Sequence, residues 1–183
     1  MAVYFHFRAA TSEDIPVLSE LIAASVRELQ IEYTPEEREL ALATIFTIDT
    51  QLILDGTYSV ALSEEGIVAG CGGWSKRRTL YGGDCQIQAI APELLDPSHD
   101  AAKIRAIFVH PAYSRQGLGS AILARSEKAA EDAGFTGFEM GSTLAGVPLY
   151  TLKGYRKRET ITVPIGAEKT ITIVRMAKSA NPA

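Results

Sequence analysis

Two glycines and an arginine carry the strongest chemical signal in the sequence. They lie in Ile104-Arg-Ala-Ile-Phe-Val-His-Pro-Ala-Tyr-Ser-Arg-Gln-Gly-Leu-Gly-Ser-Ala-Ile-Leu, where an apolar run turns sharply into an alanine-rich helical pattern. The first turn of a helix has N–H groups without intrahelical partners and a partial positive charge. Glycines there let an anion approach the backbone, and a guanidinium adds charge-assisted hydrogen bonds. Arg115, Gln116, Gly117, Leu118, Gly119 and Ser120 therefore form a candidate phosphate-binding turn. The other reading of the same residues is a tight strand-to-helix turn that binds nothing.

The pattern narrows the ligand. Ile122 stands where a dinucleotide fingerprint G-x-G-x-x-G needs its third glycine, and no acidic ribose partner is evident. No G-x-x-x-x-G-K-[ST] occurs, so the sequence lacks the nucleoside-triphosphate loop.

These residues must be positioned by the elements around them. Residues 3–8 read as a strand from their aromatic and β-branched content. Thr11-Ser-Glu-Asp14 caps a helix that carries Ile15, Leu18, Leu21 and Ile22 to about Leu29. Thr34-Pro-Glu-Glu37 starts a second helix, which carries Leu40, Ala43 and Ile45 and fades before Asp55-Gly56. Residues 57–62 and 67–74 form a hairpin around Ser63-Glu-Glu-Gly66, and 75–100 are an irregular insertion. Strand 103–109, turn 111–116 and helix 117–133 frame the glycines, and Gly134 stops the helix. Strand 135–142, short helix 146–152 and strands 155–163 and 169–176 complete the order. This β-α-α-β-β-β-α-β-α-β-β order predicts an α/β (mixed α+β) sheet with helices packed on its faces.

The chain has 183 residues, 18 Lys plus Arg, 22 Asp plus Glu and a net charge of −4. The length suits one domain, 1–178, with a short polar tail at 179–183. A mildly acidic chain argues against a dedicated nucleic-acid binder. Cys71 and Cys85 are expected as free thiols, and His6, His99 and His110 are scattered, so no metal site is expected. No apolar run reaches the roughly 18 residues of a membrane span. The N-terminus is too polar for a signal segment, and a cytoplasmic protein is expected.

The glycine segment resembles the acetyl-CoA motif of the GNAT superfamily of N-acetyltransferases, Q/R-x-x-G-x-G/A at the head of a helix. The two glycines of that motif fall on Gly117 and Gly119, while Ser114 replaces its leading Gln or Arg and Arg115 stands one place later. Phe7-Arg-Ala-Ala-Thr-Ser-Glu-Asp14 is similar to the family's opening strand and helix start. Leu149-Tyr-Thr-Leu-Lys-Gly-Tyr155 is similar to its late L-Y-x-x-x-G-F/Y element. The resemblance spans nearly the whole chain. It implies a central, largely antiparallel, splayed sheet of six to seven strands with helices on both faces.

It also implies acetyl-CoA as acetyl donor, entering the wedge of the sheet, and an amine of a small molecule or protein as acceptor. Backbone groups of Ile107, Phe108 and Val109 would bind the pantetheine arm. Thr143 stands where the family often has Asn. Tyr150 becomes the expected general acid, because a phenol near the sulfur can protonate the departing thiolate; the alternative is a packing tyrosine. A homodimer is compatible with the family, and a non-catalytic acyl-CoA-binding module is the alternative function.

The remaining polar residues are less directed. Glu139 is a candidate base through water, but a solvent-facing strand position is the favoured reading. His110 reads as a turn residue. Arg105 on a central strand needs a partner or a wet cleft. An internal pair with Glu139 or Asp100 is expected ahead of an acceptor contact. Trp74, Tyr81 and Lys76-Arg-Arg78 are candidates for the acceptor site, with a solvated surface the better reading for the basic run. Nothing in the sequence names the acceptor or the base.

Overall fold

The computed structural model describes residues 4–84, 93–166 and 168–180. Val3, Cys85, residues 181–183 and part of the 75–100 insertion lie outside them. The chain runs β1 (His6–Ala9), α1 (Ile15–Leu29), α2 (Pro35–Thr44), α3 (Thr50–Leu54), β2 (Tyr58–Leu62), β3 (Val68–Ser75) and β4 (Ala102–Val109). It continues through α4 (Leu118–Asp132), β5 (Gly137–Ser142), α5 (Val147–Leu152), β6 (Arg156–Gly166) and β7 (Lys169–Ser179). Ser179, read as the first tail residue, closes β7. The strands form one seven-stranded sheet in the order β1-β2-β3-β4-β5-β7-β6. Every pairing is antiparallel except β4 with β5.

Local chemistry explains the ends of the early helices. Asp14 grips Arg8 through two 2.7 Å bonds and accepts from Thr11 N at 2.8 Å, which fixes the entry to α1. Thr34 and Glu37 form a reciprocal capping box at the start of α2. The second helix does not run through to Asp55. It stops at Thr44, and Asp49 caps a separate α3 by accepting from Gln51 N at 3.1 Å. The sequence reading missed this break.

Helices cover both faces. Leu18, Leu21, Ile22 and Val26 of α1 share a core with Tyr58, Val60, Cys71, Phe108 and Ile173. Leu118 and Ile122 of α4 pack with Ala61 and Ala69, and Leu123 joins Trp74, Ile104, Phe138 and Met140. The approach of α4 depends on glycine in β3. A Cβ at Gly72 would lie 2.5 Å from Ile122 Cγ2, so any larger residue would push the helix away. Among the described residues no helix is long and apolar enough to cross a membrane.

Candidate active site

The sheet splits at its one parallel pair. β4 and β5 are in register only at Ala102↔Phe138 and Lys103↔Glu139, yet β4 continues to Val109 and β5 to Ser142. Beyond Lys103 the β4 backbone keeps β3 on one side and faces a wedge on the other. Backbone N–H and C=O groups of a largely buried strand require partners. This edge is thus suited to an extended ligand that pairs as a strand would.

β4 also carries a bulge. Four residues from Arg105 to Phe108 oppose the three from Cys71 to Gly73, and Ala106 has φ +52°. A non-glycine residue in that region is unusual and re-aims the strand locally. The Tyr58 hydroxyl holds the bulge by donating to the Ala106 carbonyl over 3.0 Å.

The wedge encloses a cleft of about 90 Å³. Ile104, Arg105, Ala106, Ile107 and Phe108 form one wall; Met140, Gly141, Ser142, Thr143 and Tyr150 form the other. Gln30, Phe46, Thr47, Tyr81 and Gly82 close one side. A larger open groove of about 450 Å³ lies beside α4, between Ser59, Trp74 and Lys128, and contains none of the motif residues. The smaller cleft takes in Thr143 and Tyr150 but none of residues 115–120.

Ile107, Phe108, Thr143 and Tyr150 line this cleft, whereas Val109 lies past it, paired with Gly70. The Thr143 hydroxyl has no hydrogen-bond partner among the described residues. Tyr150 packs edge-on against Tyr155, with ring centroids 5.9 Å apart. Gly146 makes room for it, because a Cβ there would lie 2.7 Å from Tyr150 Cε2. Burial pushes the Tyr150 phenol up to about 12, so at neutral pH it holds its proton.

The glycine turn sits just beyond the end of β4. Arg115 has φ +62° and Gly117, the residue before α4, has φ +83°. Arg115, Gln116 and Gly117 are exposed, and Gly119 and Ser120 are half-buried. Leu118 is a core residue at 1% exposure, so only its backbone can meet a ligand. Gln116 donates to the Ala112 carbonyl at 3.1 Å, while the Arg115 guanidinium makes no bond with a described residue. Turn, bulge and tyrosine follow the path of β4 and the wedge beside it.

Four expectations need correction. Arg105 is paired, but with Asp49 at 2.8 Å rather than with Glu139 or Asp100. The β4–β5 register stops at Lys103, so Lys103 meets Glu139 and Arg105 lies past the split. Glu139 does not face solvent. It sits 2.5 Å from Lys103 Nζ and 2.8 Å from Arg175 Nη2, with its side chain 15% exposed. Burial pushes its carboxyl up, but the two cations outweigh that and hold it low, a poor setting for a base. Trp74 is a core residue packed against Phe135 at 5.7 Å, away from the cleft. The basic run is not simply solvated, since Arg77 is bound to Asp55 at 2.7 Å with its side chain 17% exposed.

His110 is a turn residue, its Nδ1 accepting from Ala112 N at 3.2 Å. Cys71 is buried, and burial pushes its thiol up to about 12, which disarms it as a nucleophile. Sequence reasoning missed Gln30, Thr47 and Asp49. Gln30 had a signal: it continues the buried Leu18, Ile22, Val26 series at the next helical step. Thr47 and Asp49 had none, since they belong to the break between α2 and α3.

The family model described as the acetyltransferase (GNAT) family matches residues 23–155. Solved structures share the fold at low identity. A GCN5-related N-acetyltransferase from Rhodopseudomonas palustris superposes with a TM-score of 0.72 at 20% identity, covering 98% of each chain. The PaiA N-acetyltransferase of Thermoplasma acidophilum, solved with coenzyme A, gives 0.66 at 14% identity, over 96% of this chain and 99% of that one. A GNAT superfamily phosphinothricin acetyltransferase from Sinorhizobium meliloti, solved with acetyl-CoA, gives 0.64 at 16%, over 98% and 89%. No curated protein matches the sequence.

Proposed function

The chain belongs to the acetyltransferase (GNAT) family, and on that premise we propose that it moves an acetyl group from acetyl-CoA directly to a primary amine of a small molecule or protein. The observation that carries this reading is the cleft between β4 and β5, with Tyr150 on one wall and the glycine turn at the end of the other.

The residues present fit the donor. The backbone amides from Gln116 to Ser120, which lead into the first turn of α4, and the guanidinium of Arg115, which bonds no described residue, would hold its pyrophosphate. The unpaired edge of β4 at Ile107, Phe108 and Val109 would pair with the amides of its pantetheine arm, and the free Thr143 hydroxyl offers one more bond. Acetyl-CoA supplies an activated acetyl thioester.

The balance of the reaction assigns work to the protein. The amine nitrogen forms a bond to the acetyl carbon and loses one proton; the carbon–sulfur bond breaks and the sulfur gains one. Tyr150, protonated at neutral pH as any phenol is, would hydrogen-bond to the sulfur and give it a proton as negative charge develops there, then be reprotonated from solvent. Among the described cleft-lining residues there is no carboxylate or imidazole. The amine would therefore react from its neutral form and release its proton to water.

Calorimetry with coenzyme A, ATP and NAD tests the donor, with free-thiol release and mass spectrometry on an amine panel for the reaction. Coenzyme A should bind and the other two should not. Gly119→Asp sets a negative charge beside the phosphates. Its Cβ lies 3.3 Å from the flexible Leu149 Cδ2, so the fold should survive. Unchanged coenzyme A affinity in folded Gly119→Asp would refute the phosphate assignment. Binding without turnover on any amine would leave an acyl-CoA-binding module instead.

A further inference from the structure

The side of the cleft closed by Gln30 and Thr47 has a definite hydrogen-bonding character. Gln30, the residue that follows α1, is 6% exposed, and its Oε1 is buried without a partner. Thr47 Oγ1, set against Gly83, is also buried and unpartnered. Only one other described side-chain atom, Arg175 Nε, shares this state, and Arg175 does not line the cleft. Buried polar atoms are nearly always bonded, so two orphans from separate segments on one side of the cleft mark a place for a ligand's polar group: the Gln30 oxygen calls for a donor, and the Thr47 hydroxyl can accept or donate.

The cleft is also electrically closed. Among the described residues, Arg105 is the only charged one that lines it. Its Nη1 donates to the Thr79 carbonyl at 2.8 Å, and its Nη2 to Asp49 at 2.8 Å and to the Gly82 carbonyl. A carboxylate entering here would find the one cation already neutralised. A second ammonium would find no carboxylate. Either charge would lose its water without compensation.

We infer that Gln30 is a specificity-determining residue, and that the acceptor is an amine whose neighbouring group is uncharged and donates a hydrogen bond, an amide N–H or a hydroxyl. The inference rests on the acetyl-transfer reading and adds the substrate class to it. An aminoacyl amide presents this chemistry, either as a free molecule or as the end of a peptide. A site built to bond such a donor rejects the analogue that lacks it, because its own polar atom is left unpaired.

The test uses the full chain, saturating acetyl-CoA and five amines of nearly one shape: alaninamide, alaninol, alanine, diaminopropane and sec-butylamine. Alanyl-alaninamide is added to separate a peptide end from a free amide. Wild type should acetylate alaninamide, alaninol or the peptide amide with kcat/KM about tenfold or more above the other three. Gln30→Met should abolish the advantage over sec-butylamine, mainly through KM. Gln30→Glu should raise diaminopropane relative to alaninamide. Preference for alanine or diaminopropane in wild type, or an undiminished amide preference in folded Gln30→Met, overturns the inference. So does the absence of turnover on every amine while coenzyme A binds. Failure to bind coenzyme A sinks the acetyl-transfer reading itself. If Gln30→Met does not fold, the wild-type panel and Gln30→Glu decide alone.

Discussion

Arg105 and Asp49 meet at 2.8 Å, and neither residue is more than 4% exposed. One comes from β4 and the other caps α3, so this pair ties the wall of the cleft to the segment that carries Thr47. Burial pushes the Asp49 carboxyl up and the Arg105 guanidinium down, and each opposes the shift of the other. Removing one member leaves a buried charge uncompensated, at about 3–5 kcal/mol. Asp49→Asn should lower stability in urea by that order. The double replacement Asp49→Leu with Arg105→Met should lose less than Asp49→Asn alone. A double variant as unstable as the sum of the two single ones would show that the pair is not a coupled unit.

The contribution of Arg115 can be separated from its backbone. Its φ of +62° is costly for any residue except glycine. Arg115→Gly should therefore leave the free protein at least as stable as wild type. Coenzyme A should bind about tenfold more weakly, the value of one charge-assisted bond. Pantetheine, which lacks the pyrophosphate, should bind as before. Equal losses for the two ligands would remove Arg115 from the phosphate site.

Tyr150 sets an expectation for rate against pH. With its phenol held up near about 12 by burial, it stays protonated throughout the working range. The rate with a simple amine should rise as the amine deprotonates and show no falling limb below about pH 10. Tyr150→Phe keeps the ring against Tyr155 and should reduce kcat by about 10²-fold, with coenzyme A binding little changed. A wild-type kcat in this variant, with product release excluded as rate-limiting, would make Tyr150 a packing residue.

Acid sensitivity should arise at the start of α1. The Arg8 guanidinium, helped by Thr11 N and opposed by burial, lowers the Asp14 carboxyl to about 2. The folded value lies below the unfolded one of about 3.9, so the stabilisation is complete above about pH 4. It is lost as pH falls from there towards about 2. Urea midpoints should drop over that window in wild type and drop less in Asp14→Asn. Parallel curves for the two proteins would assign the acid response to other carboxylates.

The sequence by itself determined most of the elements and the glycine turn ahead of α4, because their signals are local. Caps at Thr11 and Thr34, the Ser63 to Gly66 turn of the hairpin and the glycines at 117 and 119 act within a few residues of themselves. The late Leu149-Tyr150 element and the glycine turn together carry the resemblance that implied a splayed sheet. Tertiary structure alone decided what faces what in the cleft. A parallel register that stops at Lys103↔Glu139 sends Lys103 to Glu139 and leaves Arg105 to a residue 56 positions away. A break between α2 and α3 supplies that residue, Asp49, and brings Thr47 to the wall. Gln30 stood in the sequence as one polar residue on an apolar stripe. Its unpartnered oxygen emerges only once α1, the α2–α3 segment and β4 are packed, since hydrogen-bond satisfaction in a core depends on chain-distant neighbours.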